Sequence, residues 1–116
     1  MAKVFGIHQL ELKNDADTAE FERVVSDEFN ALPQLAGWER SIVKGERGDN
    51  VGKYLLIFEA ESLKKRNRDV PGDGPLSPEL QKWYDTSLPM LDKLSSYLTI
   101  PLFRGSVFTD YVVVGR

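Results

Sequence analysis

The chain has 116 residues and a mass of 13.1 kDa, the size of one domain, so we expect residues 1–116 to form a single domain. Its net charge of −3 favours neither nucleic acid nor an anionic membrane as a partner. The absence of cysteine excludes disulfides, thiolate metal sites and cysteine nucleophiles, and the single histidine, His8, excludes sites that need two imidazoles. We therefore expect no metal, and the functions considered below need no cofactor.

The sequence contains neither a recognisable targeting signal nor a membrane span. The N-terminal segment reaches charged residues by Glu11 and lacks the apolar core and cleavage site of a secretory signal. No window contains the ~18 consecutive apolar residues that cross a bilayer. We therefore expect a cytoplasmic protein.

The first predicted elements are a strand and a helix. Residues 4–12 are rich in Val, Phe, Ile and Leu and predict a strand. Asp17, followed three residues later by Glu20, is typical of a helix start. Apolar residues then recur at helical spacing until Pro33 and Gly37 end the helix.

A predicted hairpin and a short helix follow. Strands at 38–44 and 53–59 are joined by the polar, glycine-rich segment 45–52. A short helix at 62–69 ends at the Pro- and Gly-rich segment 70–75. Within that segment, residues 71–75 are a candidate lid, and we expect them to be mobile.

The last predicted elements are a long helix and a strand. Ser77 and Pro78 are a strong helix start, with a capping side chain and a proline at the first helical position. Pro89 lies within the helical pattern, which predicts a kink near Asp85 or a split into two helices. Residues 107–114 predict the final strand.

The resulting order, β-α-β-β-α-β, predicts the fold class. Right-handed crossovers fold this order into an α+β, ferredoxin-like sandwich. Its four-stranded antiparallel sheet carries both helices on one face.

Both faces of this predicted sheet are apolar. In the first strand Val4 and Leu10 point to one face, whereas Phe5 and Ile7 point to the other, and the third and last strands repeat the pattern. A two-helix layer covers one face only, and soluble monomers rarely expose an apolar surface as large as the second. We therefore expect a homodimer in which the uncovered faces of two copies close into a barrel.

Three features resemble the dimeric α/β-barrel superfamily of ferredoxin-like proteins, in particular small bacterial members of unassigned function. They are the strand IHQLELK at 7–13 before an acidic helix start, the turn GERG at 45–48 before KYLLIFE at 53–59, and the aromatic late helix. The resemblance implies the fold and the dimer. It implies no single reaction, because the superfamily includes antibiotic-biosynthesis and haem-degrading monooxygenases, lactone isomerases, ligand-binding regulators and stress-responsive proteins.

His8 is the candidate catalytic residue. It lies mid-strand on the face shared with Leu10 and Leu12, and we expect it inside the barrel, where burial or a nearby carboxylate would shift its pKa. There it would act as a general base that removes a proton from a small aromatic or lactone substrate. The alternative is a buried, hydrogen-bonded structural histidine at the sheet or dimer interface.

Further residues are candidates for a small apolar or aromatic ligand site, because such sites are lined by aromatic groups with a few polar ones. They are Trp38, Arg40, Tyr54, Phe58, Trp83, Tyr84 and Tyr111. Tyr54 and Phe58 share a strand face and are expected in one cavity wall, whereas Trp83 also fits a core helix position. Arg40 would bind a ligand carboxylate through two hydrogen bonds, or lie at the rim in a solvated ion pair.

The basic run 64–68 raises the alternative of RNA binding, since RNA-recognition domains share the predicted element order. The acidic net charge argues against it. So does Leu56, which stands where such domains carry a stacking aromatic ring. We therefore interpret the run as a solvated helix face.

The favoured function is a homodimer that encloses a small apolar or aromatic ligand site. Its enzymatic form is a cofactor-independent monooxygenase or isomerase that uses His8. Its non-enzymatic form is a binding or structural dimer, for which a filled interior without a ligand-sized cavity is expected.

Overall fold

A four-stranded antiparallel sheet, with helices packed on one face, forms the framework of the molecule. The computed structural model describes residues 2–103 and 107–115. Its strands are β1 (Val4–Leu10), β2 (Trp38–Lys44), β3 (Tyr54–Ala60) and β4 (Phe108–Val112). Its helices are α1 (Thr18–Asp27), a 3₁₀ turn (Phe29–Ala31), α2 (Leu63–Asp69) and α3 (Pro78–Ser95). The strand order across the sheet is β2-β3-β1-β4, so the first strand lies between the third and the last.

The predicted order of elements is confirmed, with differences at strand ends. β1 ends at Leu10, and Leu12 forms only an isolated bridge with Leu98. β4 is shorter than the predicted strand at 107–114. It lies at the edge of the sheet, and among the described residues it pairs with β1 alone.

The helix starts follow the predicted capping residues. The Asp17 side chain accepts a hydrogen bond from the Glu20 amide at 3.2 Å, and Ser77 accepts one from the Leu80 amide at 3.2 Å. α3 continues through Pro89, so the predicted split is wrong: the proline removes one donor, and the ladder resumes beyond it. Within the described residues, no helix is long and apolar enough to cross a membrane.

The helices cover the face formed by the even-numbered residues of the strands. Tyr54 and Leu56 are buried on that face and pack with Phe21 of α1 and Leu94 of α3 in the main core. In the part of the chain that the structure describes, no helix covers the opposite face, which carries half-buried apolar residues, namely Phe5, Ile7, Leu55 and Ile57. The apolar pattern predicted for both faces is therefore observed in β1 and β3, whereas Ser41 of β2 and Glu59 of β3 add polar groups to the uncovered face.

Candidate functional site

A cavity of about 530 Å³ lies between the helix-covered face of the sheet and the α2–α3 region. Its volume falls in the range of small-molecule sites. Six aromatic side chains dominate its wall: Trp38, Phe58, Trp83, Tyr84, Phe103 and Phe108. Both tryptophans of the chain are among them. The interior that a non-enzymatic dimer is expected to fill lies between two copies of the chain, so that expectation stays a prediction.

His8, from the middle of β1, forms part of this aromatic wall. Its imidazole stacks on Phe108, with ring centroids 5.1 Å apart and planes 19° apart, and meets the edges of Phe58 and Phe103. Burial lowers the pKa of His8, and the negative charge of Asp110 partly opposes that shift. The side chain is therefore a neutral imidazole at neutral pH, and one ring nitrogen is able to accept a proton.

The predicted location of His8 between two copies of the chain is wrong. His8 shares its face with Val4 and Leu10, and that face lies under the chain's own helices. The residues that face away from the helices are its neighbours on β1, such as Ile7. The candidate site and the apolar face available to a second copy thus lie on opposite sides of the sheet.

Hydrogen bonds hold the two cavity tryptophans in place. The Trp38 indole donates to Asp69 Oδ2 at 2.7 Å, and the Trp83 indole donates to the Pro33 carbonyl at 2.7 Å. Asp69 is itself buried, only 1% exposed, and pairs with Lys65 Nζ at 3.0 Å. The wall is thereby fixed to α2 and to the segment after α1, which favours a preformed cavity.

Arg40 also lines the cavity, and the protein engages both of its terminal nitrogens, whereas its buried Nε has no hydrogen-bond partner among the described residues. Its guanidinium donates to the carbonyl oxygens of Phe29, Leu32 and Pro33 at 3.2, 2.7 and 3.3 Å. It also lies over the rings of Phe29 and Trp83, 5.4 and 5.7 Å from their centroids. The predicted solvated ion pair is not observed, because backbone carbonyls in and after the 3₁₀ turn occupy the terminal nitrogens. The binding of a ligand carboxylate by Arg40 stays a prediction.

Tyr54 lies outside the residues that line the cavity. Its hydroxyl bonds to the Glu22 carboxylate, which also accepts a 2.8 Å bond from Lys44, and its ring packs edge-on to Phe21 of α1. The expectation that Tyr54 and Phe58 share one cavity wall is wrong. Four residues along a strand separate their α-carbons by roughly 13 Å, so only Phe58 reaches the cavity.

A charged pair at the cavity was missed by the sequence analysis. Arg66 Nη1 of α2 binds Asp110 Oδ2 of β4 at 2.6 Å, and both residues line the cavity. Gly6 pairs with Asp110 across the sheet, and a β-carbon at Gly6 would lie 2.9 Å from Asp110 Oδ1. Because Gly6 has no side chain, the Asp110 carboxylate can lie directly beside it.

The basic run 64–68 is only partly the solvated face that was predicted. Lys64, Asn67 and Arg68 are exposed, whereas Lys65 and Arg66 are half-buried and bind carboxylates. A single helix turn thus carries both solvated and cavity-facing cations. Of these ion pairs, only Lys65–Asp69 could have been predicted from the sequence, because its two residues are four positions apart on one helix.

The Pro- and Gly-rich segment 71–75 borders the cavity. Val70 and Leu76, which flank it, are lining residues, and the Ser77 amide donates to the Asp69 carbonyl at 3.0 Å across its base. The segment therefore stands where a lid would stand, and its mobility stays a prediction.

Comparisons with known proteins bear on the fold. No protein-family model matches the chain, and no curated protein matches it in sequence. Among solved structures, a dimeric protein of unknown function and ferredoxin-like fold from Bacteroides fragilis NCTC 9343 matches 96% of this chain and 96% of its own, with a TM-score of 0.52 and 16% identity. The fold is ferredoxin-like.

Two further solved structures that match the chain are enzymes by description. A mutant of SnoaB, a cofactor-independent oxygenase from Streptomyces nogalater, matches 98% of this chain and 93% of its own, with a TM-score of 0.52 and 13% identity. A hydroxynitrile lyase from Passiflora edulis matches 98% of this chain and 95% of its own, with a TM-score of 0.45 and 12% identity. At 13% identity the likeness to SnoaB concerns the fold alone.

Proposed function

We propose that the chain binds a small, flat aromatic molecule in the cavity and that His8 acts there as a general base. The observation that carries the proposal is the neutral imidazole of His8, stacked on Phe108 in a cavity wall that contains six aromatic side chains. Flat apolar rings pack well against such a wall. The fold shared with SnoaB, a cofactor-independent oxygenase, supports the same class of chemistry.

The proposed step is a single proton transfer. The acceptor nitrogen of His8 takes a proton from an acidic hydroxyl or an activated C–H of the ligand, which leaves an imidazolium and a delocalised ligand anion. In an oxygenase, the anion then reacts with dioxygen: one oxygen atom enters the ligand, and the other leaves as water with the two hydrogens removed from the oxidised carbon. In an isomerase, His8 returns the proton to another carbon. The Asp110 charge favours the imidazolium in either case.

The proposal includes a homodimer formed through the uncovered sheet face. Its half-buried apolar residues, Phe5, Ile7, Leu55 and Ile57, are suited to contact with the same surface of a second copy. The Bacteroides protein of the same fold is described as dimeric, which supports this part. We also take residues 1–116 to act as one domain, because the N-terminal strand pairs with both β3 and β4.

A non-enzymatic ligand-binding dimer is the second candidate. The cavity favours ligand binding over a purely structural role, whatever the role of His8. The two candidates differ in one measurable property, which is whether His8 accelerates the removal of a proton from a bound molecule.

The test uses 2-tetralone, a flat bicyclic ketone with exchangeable C–H protons, as a probe. Quenching of the two cavity tryptophans measures binding, and proton NMR in heavy water measures deuterium exchange. We expect binding and accelerated exchange with the unaltered chain, and binding without acceleration with His8→Gln. The matched control is Tyr54→Phe, which alters a residue outside the cavity lining. An absence of binding would contradict the ligand site. Exchange that His8→Gln leaves unchanged would contradict the general base.

A further inference from the structure

The charged pair at the cavity indicates what one end of the ligand carries. We propose that Arg66 binds a carboxylate of the ligand in place of Asp110, so that the cavity prefers aromatic acids to neutral aromatic molecules. This inference rests on the proposed ligand site and specifies its ligand class.

Arg66 has donors to spare. Its Nη1 binds Asp110 Oδ2 at 2.6 Å and its Nε binds Asn67 Oδ1 at 2.8 Å, while Nη2 has no acceptor among the residues that the structure describes. A guanidinium offers paired parallel donors that match the two oxygens of a carboxylate. The Arg66 side chain is 24% exposed, so an ion pair formed there is less screened than one in open solvent.

The other cations beside the cavity are less able to exchange partners. Arg40 is held by three backbone carbonyls. Lys65 pairs with Asp69, whose carboxylate is 1% exposed and would remain charged and buried if the pair were broken. Asp110 differs, because it lies on the edge strand β4 and its side chain is 37% exposed. Its carboxylate can turn into water, where it is well hydrated, at little cost.

The position of the pair suits a ligand that also reaches His8. Asp110 is paired with Gly6, and His8 stands two residues further along the same face of β1, about 7 Å away by strand geometry. A two-ring aromatic acid held by Arg66 would therefore lie against Phe108 with its far end near the imidazole.

The test compares 2-naphthol with 6-hydroxy-2-naphthoic acid, which adds a carboxylate to the same rings. Isothermal titration calorimetry measures the affinity of both probes. We expect the acid to bind the unaltered chain about tenfold more tightly, the effect of one charge-assisted pair. Arg66→Gln should remove this preference and change 2-naphthol binding less than about twofold. Asp110→Asn, which removes the competing carboxylate, should strengthen binding of the acid.

The matched control is Arg47→Gln, because Arg47 is an exposed arginine in the turn between β2 and β3 and does not line the cavity. It should leave both affinities unchanged. Equal binding of the two probes, a preference that survives Arg66→Gln, or weaker acid binding in Asp110→Asn would overturn the inference while leaving the ligand site intact. If neither probe bound, the ligand site itself would be contradicted. The opposite effects expected for the two variants could not come from a shared loss of folding.

Discussion

The carboxylate of Asp110 lies in the space that a side chain on Gly6 would need, since a β-carbon on Gly6 would stand 2.9 Å from Asp110 Oδ1. Gly6→Ala should therefore displace this carboxylate and weaken its pair with Arg66. The loss of stability should be under about 1 kcal/mol, because the obstacle is the end of a side chain and the pair is partly exposed. Chemical denaturation checks this value.

The same substitution should alter the titration of His8. Burial lowers the pKa of His8 and the Asp110 charge raises it, so Gly6→Ala and Asp110→Asn should both lower that pKa further. His8 is the only histidine, so its imidazole signals are readily followed by NMR. Gly72→Ala is the control, since no atom lies within 4 Å of a β-carbon placed there. An unchanged pKa in Asp110→Asn would mean that the carboxylate does not act on His8.

The lowered pKa of His8 also predicts a pH dependence of stability. Between the folded pKa of His8 and the ordinary histidine value of 6.5, the unfolded state binds more protons than the folded state. The stability that neutral His8 contributes is therefore present above pH 6.5 and lost as the pH falls through the folded pKa. Urea unfolding measured at about pH 7.5 and about pH 5 should show a smaller difference for His8→Gln than for the unaltered chain. An equal difference in both proteins would contradict this assignment.

Asp69 should be important for the stability of the cavity wall. Asp69→Ala would leave the Trp38 indole without its acceptor and Lys65 without its partner, at an expected cost of about 3 kcal/mol. Asp69→Asn keeps an acceptor oxygen for Trp38 and should cost less. Urea unfolding followed by tryptophan fluorescence measures both. The exposed Asp49→Ala is the control, and an equally small effect of Asp69→Ala would show that the buried contacts contribute little.

Tyr54 and Phe58 should now differ in their effects on ligand binding. Tyr54→Phe removes the hydroxyl bond to Glu22, which should cost about 1 kcal/mol of stability and leave 2-naphthol binding unchanged. Phe58→Leu alters the cavity wall and should weaken that binding several-fold. Calorimetric titration of both variants checks the difference. A binding defect in Tyr54→Phe alone would restore the original assignment of Tyr54 to the site.

A charge on the uncovered sheet face should disrupt the dimer. Ile57→Lys would require a lysine to be buried against a second copy, so light scattering over a hundredfold concentration range should give a monomer mass instead of twice 13.1 kDa. Val51→Lys, at an exposed apolar residue in the turn between β2 and β3, is the control and should remain dimeric. A monomeric unaltered chain would contradict the dimer directly.

The sequence was sufficient to predict the order of elements and the alternation of side chains between the two faces. Strand β2 begins and ends as predicted, because Gly37 and the polar segment 45–52 bound a run of strand-forming residues. The sequence did not indicate which face the helices cover. Both faces are apolar, so the period-two pattern is compatible with either choice, and this ambiguity led to the wrong location for His8.

The details of the site depended on contacts between distant parts of the chain. Arg40 was assigned to a ligand because nothing in its neighbourhood on β2 indicates that three carbonyls converge on it. Arg66 and Asp110 are 44 residues apart, and their pairing follows only from the packing of α2 beside the edge strand. Phe58 and Trp83 were predicted because an aromatic residue on the covered face of a sheet, or on the apolar side of a helix, faces the interior. It does so whether it packs in the core or lines a cavity.

His8 and Ile7 are consecutive residues whose side chains lie on opposite sides of one layer of backbone. A substitution at either position affects one surface, whereas insertion or deletion of a single residue within β1 would exchange the two sets of side chains. The ligand wall would then point towards the second copy, and the association surface towards the helices. Related chains should therefore vary in residue type along β1 and β3 far more readily than in the length of these strands.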